Sequence, residues 1–210
     1  MIINNNKDKM DRSSRIREIL DTLSDMHQVM SDLHSELSSL LFEEKQEDNE
    51  IDYYIYTDGS CINNGYENAA AGYGVYYSKN DVRNVSLTFD GLQTNNIAEL
   101  LAIKHAFEQS REDLDNGFKI GIVSDSTYAI NSLTTYAEKR EQNNWKGKIA
   151  NRELIQEMYE NMKEYIHSKK IQFIKIKAHT TETDVHSIGN QHADILAYEA
   201  SERKLKEISS

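Results

Sequence analysis

The sequence predicts an α/β fold, a mixed β-sheet flanked by helices, preceded by a separate long amphipathic helix. Three observations support this prediction. Residues 16–42 repeat apolar side chains with a helical period, residues 52–89 are rich in β-forming side chains, and from residue 94 onward helical segments alternate with short apolar strands. Consecutive strands favour an antiparallel meander and strands that alternate with helices favour parallel pairing, so a sheet of mixed direction is expected.

The bulk composition is that of a globular chain. Charged residues make up 28% and hydrophobic residues 38% of the 210 positions, and no apolar run approaches the roughly 20 residues that a membrane helix needs. The single cysteine, Cys61, excludes an internal disulfide and favours a reducing compartment, the cytoplasm or the nucleus. The absence of proline and the frequent Asn, Ile and Lys are typical of an AT-rich genome, so a virus-encoded protein is one interpretation.

The net charge of −11 argues against tight, sequence-independent binding of nucleic acid, because phosphate contacts require basic side chains. Residues 1–50 carry 6 basic and 12 acidic side chains, a net charge of −6, which leaves −5 on residues 51–210. The argument is weaker against an enzyme whose site is a cluster of carboxylates neutralised by metal ions.

The amphipathic helix predicted over residues 16–42 follows a polar segment, 1–15, that we expect to be a disordered tail. Its apolar seam is spaced by alternating steps of three and four residues, as at the a and d positions of a coiled coil. The seam consists of Ile16, Ile19, Leu23, Met26, Met30, Leu33, Leu37 and Leu40. Self-association into a homo-oligomer is the favoured interpretation, and Leu20, Val29 and Leu41 widen the stripe enough for more than two helices to associate. The alternative is a helix that lies along the following domain. Residues 43–51 are charged and predict a linker, and 52–207 form the second domain.

The strands and helices of the second domain are predicted from β-propensity and from helical spacing. Thr94 or Asn95 can cap the first of its helices, and another helix is expected from about Ser126. The predicted strands are 52–58, 71–78, 82–89, 119–124 and 171–177, and the other helices are 94–112, 152–168 and one from about Gly189 to Lys206.

Four acidic residues stand out against these elements. Asp58 is predicted to end the first strand and Asp125 the fourth, and neighbouring strand ends bring their side chains together. Glu99 falls about one turn into the first helix of the domain, and Asp194 in the first turn or so of the last. Taken singly, each acid has an ordinary alternative role as a turn, cap, helix-dipole or solvated residue.

The two strand-end aspartates would repel each other unless a cation lies between them. Magnesium prefers carboxylate oxygen and keeps waters for substrate phosphates. Two such ions about 3.5–4 Å apart stabilise the attacking and leaving oxygens of a phosphoryl displacement. The joint arrangement of the four acids therefore indicates a metal-dependent site.

Residues 52–200 resemble type 1 ribonuclease H in six pieces that occur in the order of that family. These are YTDGSC (56–61), TNNIAEL (94–100), SDS (124–126), NREL (151–154), KAHT (177–180) and GNQHADILA (189–197). The resemblance implies a five-stranded mixed sheet with helices on both faces. It also implies an endonuclease that hydrolyses the RNA strand of RNA–DNA hybrids and leaves 5′-phosphate and 3′-hydroxyl ends.

The resemblance also implies roles for particular residues. It makes Asp58, Glu99, Asp125 and Asp194 the ligands of two Mg²⁺ ions, which Mn²⁺ can replace, and His179 the histidine of a loop near the scissile phosphate. The implied substrate contacts are Asn95 and Asn96 in the minor groove, Thr94 and Asn151 on a DNA phosphate, and the backbone of Gly59, Ser60 and Cys61 on the RNA strand.

Departures from the family pattern leave alternatives open. Leu92 stands where hybrid-binding members often carry arginine, and no N-terminal hybrid-binding module is recognised, so a weaker grip on substrate is expected. Trp145 either packs against the substrate backbone or closes the core. Cys61 is either a redox target or a small side chain. A zinc set of His179, Asp184, His186 and His192 is the least favoured interpretation, because the spacing matches no diagnostic pattern.

Two other functions compete with a hybrid-specific nuclease. One is a catalytically idle fold used as a scaffold through the coiled coil, and the complete carboxylate set argues against it. The other is a DNA-directed relative, such as a resolvase or transposase, against which Asn95, Asn96 and the loop of His179 argue.

Overall fold

The computed structural model describes residues 5–47, 50–177 and 184–209, which fall into two compact units, Met1–Glu50 and Ile51–Ser210. The first unit is one helix, α1 (Asn5–Glu47). This helix extends beyond the predicted 16–42 at both ends, into the expected tail and the expected linker, because neither Gly nor Pro interrupts the charged residues there. None of the described helices is long and apolar enough to cross a membrane.

The second unit contains a five-stranded sheet of order β3-β2-β1-β4-β5. Its strands are β1 (Tyr53–Ile62), β2 (Ala70–Tyr76), β3 (Val85–Thr88), β4 (Ile120–Ser124) and β5 (Ile171–Lys175). Strands β1, β2 and β3 pair antiparallel, whereas β4 pairs parallel with both β1 and β5. The predicted five-stranded mixed sheet is confirmed.

The helices of this unit follow the predicted order, with two additional short ones. They are α2 (Asn95–Gln109), α3 (Arg111–Asp115), α4 (Thr127–Leu133), α5 (Thr135–Gln142), α6 (Arg152–His167) and α7 (Val185–Ile208). Side-chain caps set two of the starts, since Thr94 accepts from the backbone N–H of Ile97 and Ser126 from that of Ala129.

Helices α2 and α7 lie on opposite faces of the sheet, and glycines in the strands leave room for both helices to pack closely. A Cβ on Gly59 would collide with the backbone of α2, whereas a Cβ on Gly72 or Gly74 would collide with α7. Gly72 pairs with Ser60, the residue after Gly59 in β1, and successive residues of a strand point to opposite faces. The prediction of helices on both faces is therefore confirmed.

The core settles the role of Trp145, which is only 4% exposed and packs edge-on against Tyr159 with ring centroids 6.2 Å apart. Both rings belong to the main hydrophobic cluster that joins the sheet to α2, α4 and α6. Trp145 therefore closes the core, and the alternative of packing against the substrate backbone is not supported.

The start of α7 differs from the prediction. The helix begins at Val185 rather than near Gly189, because the side chain of Asp184 accepts from the backbone N–H groups of His186 and Ser187 at 3.0 and 3.2 Å. Gly189 lies inside the helix, where its missing side chain leaves room for the ring of Tyr56. Asp194 consequently lies in the third turn of α7, not the first.

Candidate active site

Asp58 occupies the interior of β1 rather than its end. The strand continues to Ile62 because its antiparallel ladder with β2 extends to the pair Ile62 and Ala70. The parallel ladder of β1 with β4 stops earlier, at Tyr56 and Val123. Asp58 thus lies just past the point where β4 stops pairing with β1, close to Asp125, which follows the last residue of β4.

Gly59 allows Glu99 to reach the same place. A Cβ at this position would overlap the backbone nitrogen of Glu99 and lie 2.6 Å from the backbone carbon of Ala98. Real Cβ atoms essentially never approach other atoms so closely. Only glycine therefore lets α2 pack closely enough on β1 to bring Glu99 beside Asp58.

Asp58, Glu99 and Asp125 form a compact group, in which each offers one carboxylate oxygen within 4.8 Å of the others. Asp58 and Glu99 are buried, with 6% and 5% of their surface exposed. Asp194 joins the group through Asp58, with which it shares a side-chain hydrogen bond. The structure therefore brings together the four acids that the sequence singled out.

The polar atoms around the group are incompletely satisfied. Asn95 Nδ2 donates to Glu99 Oε1 at 3.4 Å, and Asn190 Nδ2 donates to Asp125 Oδ2 at 3.3 Å. Glu99 Oε2 is buried and has no hydrogen-bond partner among the described residues. A buried carboxylate oxygen without a donor is costly, and a divalent cation would satisfy it, so these residues fit a metal ion.

The electrostatics point the same way. Burial, together with the negative charges of Asp125 and Asp194, raises the pKa of Asp58 to about 8. Burial also raises the pKa of Glu99 well above its usual range, with Asp58 and Asp125 adding to the effect. Asp58 therefore keeps its proton at neutral pH unless a cation compensates the negative charge around it.

This cluster predicts an unusual dependence of stability on pH. Without metal, native Asp58 keeps its proton up to about pH 8, whereas an unperturbed carboxyl with a pKa of 3.8 loses it. The folded state therefore binds more protons between those values, and the free energy of unfolding falls as pH rises from about 4 to about 8. We expect a loss of a few kcal/mol, since one pKa unit corresponds to about 1.4 kcal/mol.

Urea unfolding in EDTA at pH 5 and pH 8 measures this loss, and adding Mg²⁺ at pH 8 should recover it. Asp58→Asn is the matched control, because its metal-free stability should change less over the same interval. If the free energy of unfolding changed equally for the wild type and for Asp58→Asn between pH 5 and pH 8, the raised pKa of Asp58 would be contradicted.

The expected substrate-contact residues differ in their surroundings. Asn95 contacts Glu99 directly, whereas Asn96 is exposed at the start of α2. Asn151 precedes α6 with a left-handed backbone (φ 54°) and donates to the hydroxyl of Tyr128 at 2.9 Å. Ser60 bonds to Ser201 of α7 at 3.2 Å, so its side chain is engaged within the fold.

His179 lies outside the described residues, as do residues 178–183 around it. The other members of the possible zinc set have separate roles. Asp184 caps α7, the Tyr56 hydroxyl lies 3.3 Å from Nδ1 of His186, and His192 stacks on Tyr76 with centroids 4.5 Å apart. These contacts favour structural roles for all three.

Cys61 is half-buried, and burial raises the pKa of its thiol. Its Sγ lies 3.7 Å from the carbonyl oxygens of Ile62 and Gln93. A raised pKa disfavours the reactive thiolate, so the structure favours a small structural side chain over a redox target.

Asn190 is a site residue that sequence reasoning did not single out. It is 5% exposed and contacts Asp125 from α7, and its own Oδ1 is buried without a partner among the described residues. The sequence did carry a signal, because Asn190 precedes Asp194 by four residues in the GNQHAD segment. Residues one helical turn apart lie on the same face of a helix.

The fold and the site define a class. The solution structure of the RNase H domain of prototype foamy virus aligns with a TM-score of 0.58 and 20% identity over 73% of this chain and 96% of that one. LC11-RNase H1, which was isolated from compost by a metagenomic approach, aligns with a TM-score of 0.51 and 23% identity. The alignment covers 72% of this chain and 96% of LC11-RNase H1. The protein therefore has a ribonuclease H-like fold.

Sequence comparison gives the family. The RNase H family model matches residues 50–202, and the chain belongs to the ribonuclease H family. It is 39% identical over 150 residues to a probable ribonuclease H of Acanthamoeba polyphaga mimivirus, covering 69% of this chain and 64% of the relative. It is 38% identical to ribonuclease H of Schizosaccharomyces pombe, and this match covers 68% of this chain and 50% of the relative. It is 31% identical to human ribonuclease H1, and this match covers 71% of this chain and 50% of the relative. The match thus spans about half to two thirds of the length of these relatives.

Proposed function

We propose that the protein is an endonuclease that hydrolyses the RNA strand of RNA–DNA hybrids and leaves 5′-phosphate and 3′-hydroxyl ends. The observation that carries the proposal is the compact group of Asp58, Glu99 and Asp125 in a ribonuclease H-like fold, in which Asp58 and Glu99 are buried and one carboxylate oxygen of Glu99 has no partner among the described residues. Such a group fits a divalent cation and a phosphate better than it fits a structural role.

The four acids, including Asp194, would hold two Mg²⁺ ions, with Mn²⁺ as a substitute. The bound ions would activate a water and stabilise the leaving 3′-oxygen. The protein's own contribution is to orient the ligands: β1 and β4 hold the two aspartates, α2 holds Glu99, and Asn190 fixes one oxygen of Asp125. His179 would deliver a proton to the leaving oxygen, because an imidazole can hold and release a proton near neutral pH.

Substrate recognition would involve the start of α2. Asn95 and Asn96 would contact the minor groove, where a 2′-hydroxyl distinguishes RNA from DNA. The 3.4 Å contact of Asn95 with Glu99 supports this role, because it brings the side-chain amide of Asn95 next to a proposed metal ligand. A foamy viral protease-reverse transcriptase, which shares this fold with a TM-score of 0.58 and 19% identity, was solved in complex with an RNA/DNA hybrid.

The phosphate contacts would come from Thr94 and Asn151, and the backbone of Gly59, Ser60 and Cys61 would face the RNA strand. Thr94 already accepts from the N–H of Ile97 through its hydroxyl oxygen, so its own O–H is available to donate to a phosphate. The free thiol Cys61 fits a reducing compartment, the cytoplasm or the nucleus.

Leu92 is 69% exposed where a phosphate-binding arginine would help, and the net charge is −11. Both features favour weak intrinsic affinity. A second copy of the chain, associated through residues 16–42, is therefore the other proposed partner, since linked sites raise the effective concentration of each domain on one substrate.

The test compares three labelled duplexes with Mg²⁺: an RNA–DNA hybrid, double-stranded RNA and double-stranded DNA. We expect cleavage of the RNA strand of the hybrid alone, with 3′-hydroxyl ends that a polymerase can extend. Cleavage of duplex DNA would instead support a DNA-directed relative. Inertness on all three duplexes, with the protein folded and Mg²⁺ bound, would support the scaffold.

A further inference from the structure

Helix α1 exposes an uninterrupted apolar stripe. Each of the seven described seam residues between Ile16 and Leu37 is at least half exposed, from 50% for Ile16 to 69% for Met30. Leu20 and Val29, which border the seam, are 59% and 57% exposed. A 43-residue helix gains most of its stability from packing such a stripe, and soluble proteins rarely leave one uncovered.

The seam is compatible with a second copy in either direction. With Ile16 at position a, all eight a and d positions up to Leu40 are apolar. In an antiparallel pair centred between Met26 and Met30, each a residue faces a d residue, for instance Leu23 against Leu33 of the partner. The seam itself therefore does not select an orientation; the flanking e and g positions do.

A parallel pair would place unlike side chains together at these flanks. Position g of one helix then faces position e of the next heptad, so Val29 would lie against His34 of the partner and Glu36 against Leu41 of the partner. Each of these contacts brings a polar or charged group against an apolar one. No oppositely charged pair forms across a parallel seam in any of its four heptads.

An antiparallel pair matches the same positions better. Position g then faces g and e faces e, so Val29 meets Val29 of the partner at the centre, and Arg15 lies opposite Glu43 of the partner by heptad position. His27 lies opposite His27 of the partner. Val29 is thus buried against itself, and one complementary charge pair forms at each end, whereas Leu20 and Leu41 face His34 and Ser13 of the partner.

The distribution of charge along α1 favours the same direction. Residues 7–18 carry five basic and three acidic side chains, whereas residues 21–47 carry one basic and seven acidic ones. Antiparallel pairing brings the basic end of each helix against the acidic part of the other, whereas parallel pairing aligns like charges. Opposed helix dipoles add to the preference.

We infer that α1 forms an antiparallel two-helix coiled coil with a second copy of the chain, with Ile16 to Leu40 as the shared seam. The two second units would then be attached at opposite ends of the coil, because each follows the C-terminal end of its own helix. This inference does not depend on the proposed enzymatic activity.

Chemical cross-linking of the wild-type chain tests the orientation. Chains labelled with ¹⁴N and ¹⁵N are mixed, unfolded, refolded together and treated with an amine-reactive reagent. In the antiparallel pair Lys9 lies near Lys45 of the other copy, so light–heavy Lys9–Lys45 cross-links are expected. Within one helix these residues are about 54 Å apart at about 1.5 Å per residue, beyond the reach of the reagent. Light–heavy Lys9–Lys9 or Lys45–Lys45 cross-links would overturn the antiparallel arrangement.

Sedimentation equilibrium of the full chain tests the association. Two copies of 24.2 kDa are expected for the wild type. Met30→Asp places a charge in the seam and should give a monomer, whereas Ser35→Asp, on the outer face of the same helix, should leave the dimer intact. A monomeric or tetrameric wild type would overturn the inference, as would a dimer that survives Met30→Asp.

Discussion

Replacing Asp125 with Asn is expected to lower the rate of hybrid cleavage at least a thousandfold. The substitution keeps the shape of the side chain but removes one negative charge from the group that would hold the metal ions. A thousandfold loss corresponds to about 4 kcal/mol of lost barrier lowering, within the several kcal/mol that a bound metal ion contributes. Single-turnover cleavage of a labelled hybrid in Mg²⁺ measures it.

The same variant should be more stable than the wild type when metal is absent. Among the neighbouring charges, that of Asp125 has the largest effect on the pKa of Asp58. Its neutralisation therefore lowers the pKa of Asp58 and relieves repulsion inside the cluster. Thermal unfolding in EDTA at pH 8 should therefore show a higher Tm for Asp125→Asn, and Mg²⁺ should narrow the difference. Function and metal-free stability thus change in opposite directions, which distinguishes a metal site from an acidic pair that supports the fold.

A suitable control is Asp90→Asn, because Asp90 is exposed and ion-paired with Lys204 away from the four acids. Its cleavage rate should equal that of the wild type. Full activity of Asp125→Asn would remove this residue from the proposed machinery. A lower Tm for that variant in EDTA would show that Asp125 supports the fold rather than straining it.

The second large effect is expected for Gly59→Ala. The added methyl group would overlap the backbone of α2 at Glu99, and backbone cannot move aside as a flexible side chain can. We expect a loss of about 2–4 kcal/mol of stability, in the upper range for overpacked core positions, together with a fall in cleavage of a hundredfold or more. The activity falls because α2 must shift away from β1 and carries Glu99 away from Asp58.

Gly65→Ala provides the comparison. Gly65 has a φ of +90° with no atom near the position of its missing Cβ, so alanine there costs only backbone strain, about 1–2 kcal/mol. Its cleavage rate per folded molecule should stay near the wild-type value. If Gly59→Ala also kept its rate per folded molecule, then close packing of α2 on β1 would not be what positions Glu99.

The sequence alone was sufficient for the features that depend on local pattern. Period-two and period-3.6 spacing located every strand and the long helices, and Thr94 and Ser126 identified two helix starts through their capping side chains. The joint arrangement of the four acids and the six ordered pieces that resemble ribonuclease H also selected the four acids, because each acid alone had an ordinary alternative role. The roles assigned to His179 and to the substrate-contact residues remain predictions.

Only the tertiary structure decided how these pieces meet. It placed Asp58 inside β1 rather than at its end, started α7 at Val185, and brought Asn190 within 3.3 Å of Asp125. It also explained why Gly59 and Gly189 are glycines. Gly59 leaves space for the backbone of α2, and Gly189 leaves space for the ring of Tyr56, both distant in the sequence. Local periodicity specifies which face of a strand or helix is apolar. The raised pKa of Asp58 and the close packing of α2 arise from neighbours distant in sequence, which only the folded chain brings into contact.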